Sequence, residues 1–183
     1  SEKMSINKGR LEDFRFVTGR GNYTADLVPH DALHAVFLRS PIARGHLRHL
    51  SVDIARAAPN VVAVLTALEA AQDGVANMVW TGAPGRDDGS AGVDSPRPLL
   101  NGSAIRHLGE PICMVVAKTR QAAMDALELV DAGYDTDDAV ALSIKDLNGP
   151  LVWPESSDNI AALHRVGDKS AVDLALATAA TVV

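Results

Sequence analysis

Ile112-Cys113-Met114-Val115-Val116-Ala117 is an unbroken apolar run, followed after Lys118 by Thr119 and a segment with helical periodicity. An apolar run of this length, rich in β-branched residues, predicts a central strand. Thr119 is a helix-capping residue type, and Ala123, Ala126, Leu127 and Val130 fall on one helical face. A helix is therefore expected from Arg120 to about Asp131, with Gly133 as its C-terminal stop. This strand–helix unit constrains the chain to a mixed α/β fold, of the α+β class. Aromatic residues make up only 4% of the sequence, so the core must be built from Val, Leu, Ile and Ala, which suits close helix–sheet packing.

The other elements read less strongly. Leu33–Arg39 is a strand candidate stopped by Ser40-Pro41, and Leu47–Val52 is a second. In the second, Leu47, His49 and Ser51 share one face, with Arg48, Leu50 and Val52 on the other. Asp53 is expected to cap a short helix through Ala58, ended by Pro59. Val61–Leu65 reads as a strand buried on both faces. Thr66 can cap a helical piece from Ala67 to Gln72. Residues 82–98 carry Gly, Asp, Ser and Pro without periodicity, as expected of a long loop that is mobile or held by a partner. Tyr134 begins a short strand or turn. Asp168–Ala180 reads as an Ala-rich helix with Val172, Ala175, Leu176 and Ala179 on one side. Thr181-Val182-Val183 is expected to open a strand, and Met4, three residues in, predicts an added or processed start. The domain organisation expected is an extended N-terminal arm over 1–32, a domain over 33–150, and a linker and helix over 151–183.

Composition excludes several functions. The 183 residues carry a net charge of -6, the wrong sign for neutralising nucleic-acid phosphates. The densest basic stretch, Arg39–Arg48, is broken by Ser40, Pro41 and Gly45 and reads as a solvated strand and turn. The single cysteine, Cys113, allows no intrachain disulfide and cannot supply an iron–sulfur cluster or a structural zinc site. It fits a reducing, cytoplasmic setting. No apolar run reaches the roughly 18 residues that span a bilayer, and no signal-peptide core is present near Ser1.

The candidate chemical motifs each fail on spacing. His30 and His34 flank Asp31, but on a strand the two histidines lie ~13 Å apart, too far for one metal. His46 and His49 could share a metal only on a helix, and Leu47 and Val52 predict a strand. Asp135-Thr136-Asp137-Asp138 opens like a calcium loop, yet Val140 stands where Gly is needed and Asp146 where Glu is needed. Gly19-Arg20-Gly21-Asn22-Tyr23 lacks the third Gly of a dinucleotide fingerprint, since Thr24 occupies it. Glu110 has one titratable neighbour in sequence, His107, and the default for His107–Pro111 is a turn in which Gly109 supplies a positive φ. No nucleophile-elbow sequence occurs, and Cys113, in an apolar strand, is expected to be inert. The residues alone imply no catalytic, cofactor-binding or metal-binding site.

What the single motifs lack, their order supplies. Arg10-Leu11-Glu12-Asp13 through Thr18-Gly19-Arg20-Gly21-Asn22-Tyr23-Thr24-Ala25-Asp26-Leu27 resembles the opening of the molybdopterin-binding large subunit of the xanthine dehydrogenase/aldehyde oxidase/carbon monoxide dehydrogenase family, the molybdenum hydroxylases. Leu38-Arg39-Ser40-Pro41 resembles the family's next strand and turn. Pro59-Asn60-Val61-Val62-Ala63-Val64-Leu65-Thr66 is similar to its P-G-V-V-A-V-L-T strand, with Asn60 in place of Gly. Gly109-Glu110-Pro111 followed by Val115-Val116-Ala117 resembles its G-E-P…V-V-A unit. Leu151-Val152, Pro154-Glu155 and Gly167-Asp168 look like later landmarks. Val130–Asp135 departs from the family's V-x-Y-E-x-L-P pattern.

This resemblance implies an α/β hammerhead domain with a scaffolding, non-catalytic role. Arg10, Asp13, Gly19, Gly21, Tyr23, Arg39, Ser40, Pro41, Gly109, Glu110 and Pro111 are then structural or interface positions. It implies that molybdopterin-bound molybdenum, [2Fe–2S] clusters and FAD are held elsewhere in the parent enzyme. The expected partners are the rest of the molybdenum-binding subunit and the iron–sulfur and flavin subunits or domains. The parent enzyme would oxidise or hydroxylate an aldehyde, a purine, an N-heterocycle or carbon monoxide. The alternatives are a free-standing interaction or small-ligand-binding module of the same fold, and a hydrolase using Glu110 or His107.

Overall fold

The computed structural model describes residues 10, 12–75, 77–78, 85–86, 89, 92–93, 95–139, 147, 149–164 and 166–182. Among the described residues, six strands form two antiparallel sheets. In the first, β5 (Pro111–Ala117) lies between β1 (His34–Arg39) and β3 (Val61–Thr66). In the second, β2 (Gly45–Ser51) lies between β4 (Ala104–Ile105) and β6 (Asp131–Thr136). The apolar run at 112–117 is thus the central strand that its composition predicts.

Helix α4 (Arg120–Leu127) covers one face of the first sheet. The Thr119 hydroxyl accepts the Ala122 N–H at 3.1 Å, as a capping residue should. Ala123 and Ala126 are fully buried against Cys113, Val115 and Ala117, and Leu127 and Val130 pack at the margin. Small residues on the helix let it approach the strand closely, which is why a core this poor in aromatics can still be dense.

The remaining helices are short or peripheral: α1 (Asp13–Val17), α2 (Asp53–Arg56), α3 (Ala67–Gln72) and α5 (Lys169–Thr178). Helix α3 starts at the predicted cap, with Thr66 Oγ1 accepting from Leu68 N and Glu69 reaching back to Thr66. Asp168 caps α5 through Ala171 N at 3.0 Å. No residue of α5 is buried. No helix among the described residues is long and apolar enough to cross a membrane.

Several local expectations are corrected. Helix α4 ends at Leu127, because β6 already begins at Asp131. Gly133 is therefore a strand residue and not a helix stop. It pairs with His49, and a Cβ on it would lie 2.3 Å from the His49 ring. The expected two faces of β2 are interrupted by a bulge between Leu47 and His49, so Leu47 and Leu50 are the half-buried residues. A second bulge between Val61 and Ala63 leaves Val62 half exposed on an edge strand, so β3 is not buried on both faces. Asp53 is the first helical residue of α2; Val52 holds the cap position and makes no side-chain cap. Within the segment expected to be extended, α1 and a 3-10 turn at Thr24–Leu27 form instead. Eight of the seventeen residues of the predicted 82–98 loop, and Val183, lie outside the described residues, and Thr181 and Val182 adopt no regular structure.

Candidate docking site at the end of the central strand

The expected interface residues separate into two places. Arg10, Asp13, Gly19, Gly21 and Tyr23 lie in the N-terminal segment, and the hydrogen bonds and ring contacts of the described residues there stay within that segment. Asp13 Oδ2 accepts the Arg10 N–H at 2.9 Å, and Tyr23 N–H donates to Asp26 Oδ2 at 2.9 Å. Gly19 has φ +69°, and Gly21 lies under the Phe16 ring, which stacks on Tyr23 with centroids 5.8 Å apart. A Cβ at Gly21 would approach the exposed Phe16 ring to 2.7 Å, so a side chain there would push the ring off its stack with Tyr23. Phe14, Val17, Tyr23 and Leu27 remain largely exposed.

Arg39, Ser40 and Pro41 meet Gly109, Glu110 and Pro111, although the two triplets lie some seventy residues apart in sequence. Ser40 N–H donates to the Glu110 carbonyl at 2.8 Å, and Gly109 N–H donates to the Ser40 carbonyl at 2.9 Å. Arg39 Nη1 donates to the Gly109 carbonyl at 2.9 Å. Gly109 takes φ +80°, the left-handed conformation that glycine adopts without strain, as expected of the turn. The two turns thus satisfy each other's backbone, which fixes the point where β1 hands over to β5. Buried Asn101 extends the junction, donating through its backbone N–H to the Pro111 carbonyl and through Nδ2 to Ala104 O.

Glu110 sits at the centre of this junction and is only 3% exposed. Its Oε2 accepts the Arg106 N–H at 2.8 Å and lies 3.9 Å from His107 Nδ1. Arg106 stacks over Trp153, with its guanidinium carbon 3.9 Å from the ring centroid. Sequence reasoning missed this pairing, since Trp153 is 47 positions away and no spacing links them. It also missed the bidentate Arg86–Asp158 pair at 2.8 and 2.7 Å, whose guanidinium holds the Asp158 carboxyl below its usual range.

Two adjoining cavities open beside Glu110. The smaller, about 240 Å³, is bounded by Arg97, Arg106, His107 and Trp153. The larger, about 500 Å³, has an apolar floor of Phe37, Leu65, Met114 and Leu99. Phe37, Leu65 and Met114 in that floor lie on the side of the first sheet opposite α4, to which alternate residues of β5 point.

His30 lies in a turn and His34 in β1. His46 and His49 are exposed on β2, facing Asp137 and Asp131 across the strands. Asp135 pairs with Arg48 at 3.2 Å. Among the described residues no three His, Cys, Asp or Glu side chains are grouped as metal ligands. Cys113 is fully buried, and burial pushes its thiol up to about 11. With one cysteine, the chain does not supply the four thiolates of an iron–sulfur cluster.

Comparison with known proteins supplies the context. Residues 18–138 match the family model described as aldehyde oxidase and xanthine dehydrogenase, a/b hammerhead domain. The chain is 33% identical over 162 residues to the nicotine 6-hydroxylase large subunit of Paenarthrobacter nicotinovorans, covering 82% of this chain and 18% of that one. It is 27% identical to the carbon monoxide dehydrogenase large chain of Afipia carboxidovorans, covering 98% of this chain and 22% of that one. The crystal structure of quinoline 2-oxidoreductase from Pseudomonas putida 86 superposes with a TM-score of 0.72 at 30% identity, over 84% of this chain and 19% of that chain. The chain therefore spans about a fifth of the length of these relatives. It belongs to the aldehyde oxidase and xanthine dehydrogenase family, and residues 18–138 form that family's α/β hammerhead domain.

Proposed function

We propose that this chain is a scaffolding and interface part of its oxidoreductase and contributes no catalytic group. The observation that carries this reading is the use made of Glu110, the strongest acid–base candidate. One of its oxygens is engaged by a backbone N–H, and its backbone is tied into the Arg39–Ser40 turn, a structural role. A general base needs a nucleophile within hydrogen-bond reach, and the one titratable group that faces Glu110 among the described residues is His107 at 3.9 Å.

On this reading, molybdopterin-bound molybdenum, [2Fe–2S] clusters and FAD are held by other parts of a cytoplasmic enzyme. The partners are the rest of the large subunit and the iron–sulfur and flavin subunits or domains. The substrate is an aldehyde, a purine, an N-heterocycle or carbon monoxide. The segment 1–32 is an arm, 33–150 the hammerhead, and 151–183 a linker and helix leading to the molybdenum-binding part. The exposed apolar side chains of α1 and α5 support these contacts, because none of the described residues covers them.

The test is turnover. The purified 183-residue chain, supplied with aldehydes, purines or N-heterocycles and a dye acceptor, is expected to reduce no dye. Turnover by the chain alone would overturn the proposal.

A further inference from the structure

We infer that the cleft beside Glu110 receives an extended segment of the same large subunit, from the four-fifths of the relatives' length outside this chain, and that Glu110 Oε1 is the acceptor that registers it. This deepens the scaffolding reading and rests on it.

Three observations converge. First, Glu110 is nearly buried, yet among the described residues its Oε1 accepts no hydrogen bond; Oε2 alone is engaged. Arg106 Nε, in the wall of the same cleft, is buried with no partner among the described residues, and such a group is costly, so an acceptor is expected to complete it. Second, Arg97 borders the same two cavities, and its guanidinium has no partner among the described residues. Arg39 stands at the rim with one N–H on Gly109. An acceptor beside free donors suits neither a small cation, repelled by the arginines, nor a small anion, repelled by Glu110. It suits a polypeptide backbone, which offers N–H and C=O groups in alternation. Third, the floor is apolar and sheet-like: Phe37, Leu65 and Met114 come from three adjacent strands. At about 500 Å³ the cavity takes a few side chains, the scale of a short segment. Asp73 also lines the cleft and gives the segment a second acidic neighbour.

The experiment uses the full-length large subunit that contains this chain, with the photo-cross-linker benzoylphenylalanine in place of Phe37. Irradiation and peptide mass spectrometry are expected to give one cross-linked segment from beyond residue 183 of the same polypeptide. Met114→Glu, which places a charge on the apolar floor, is expected to lower the cross-linked yield about tenfold. Glu110→Gln, which keeps an acceptor for Arg106, is expected to lower it less than Glu110→Ala. An adduct to a second copy or to a companion subunit, no polypeptide adduct, or an unchanged yield in Met114→Glu would each overturn the inference. The two readings fail separately: dye reduction by the 183-residue chain alone removes the scaffolding role whatever the cross-link shows.

Discussion

Gly45 opens β2 with φ +145°, and a Cβ there would meet the Asp135 carbonyl oxygen at 1.9 Å. The obstacle is backbone of the paired strand, which cannot move without breaking the ladder. Gly133, on the same strand pair, would press on the His49 ring, a half-exposed side chain that can swing toward water. Gly45→Ala is therefore expected to cost about 2–4 kcal/mol, whereas Gly133→Ala stays within about 1 kcal/mol. Thermal denaturation of the two variants checks the difference. A similar fall in both would mean that strand pairing there tolerates no side chain at all. Asn60 makes the complementary point. It takes φ +64° where the family pattern has Gly, and Asn is among the side chains that tolerate this region best.

Among the elements, α3 depends most on one interaction. The Thr66 hydroxyl, first among the causes, and Arg56 hold the Glu69 carboxyl at about 2, below its ordinary 4.5. A depressed folded value means that the carboxylate stabilises the fold above pH 4.5 and that this contribution is lost as pH falls through about 2. Thr66→Ala is expected to cost about 1 kcal/mol at neutral pH, since it removes both the cap and the carboxylate's partner. The deficit should shrink as pH falls toward about 2, where half of the parent protein's Glu69 has taken up its proton and much of the carboxylate's contribution is gone. Urea midpoints at pH 7 and pH 2 test this; a deficit independent of pH would show that Glu69 is not involved. In β2 and β3 the bulges at Arg48 and Val62 decide which side chains are buried. A bulge depends on the partner strand, so the alternation read along β2 alone misassigned His49 and Leu50.

For the whole molecule, the packing of α4 on β5 reads out through Cys113. Burial raises its thiol from 9.0 to about 11, so the folded state keeps the proton while the unfolded state loses it. Stability is then intact below pH 9 and falls by about 2–3 kcal/mol as pH rises to 11. Burial also raises the Tyr134 hydroxyl, which adds to the loss in the same direction. Cys113→Ala should flatten this alkaline limb, measured by chemical denaturation between pH 8 and pH 11. An unchanged slope would assign the limb to other groups. At pH 8 the native thiol is expected to resist an aromatic disulfide reagent that modifies it fully in denaturant.

The central strand, the Thr119 and Thr66 caps and the turn at Gly109 were legible in the sequence because each rests on local chemistry: apolar runs, hydroxyls at helix starts, a glycine at positive φ. The order of the motifs also carried the family. The ends of elements were less legible. Val130 and Gly133 together imply a helix that continues past Leu127, but pairing with β2 draws Asp131 and the residues after it into a strand. The candidate site was legible only in pieces. Arg39-Ser40-Pro41 and Gly109-Glu110-Pro111 stood out as turns, yet only the antiparallel pairing of β1 with β5 makes them one junction. The cleft depends on a helix covering one side of the sheet and not the other, a choice made by packing between distant segments, to which no residue pattern read along the chain corresponds.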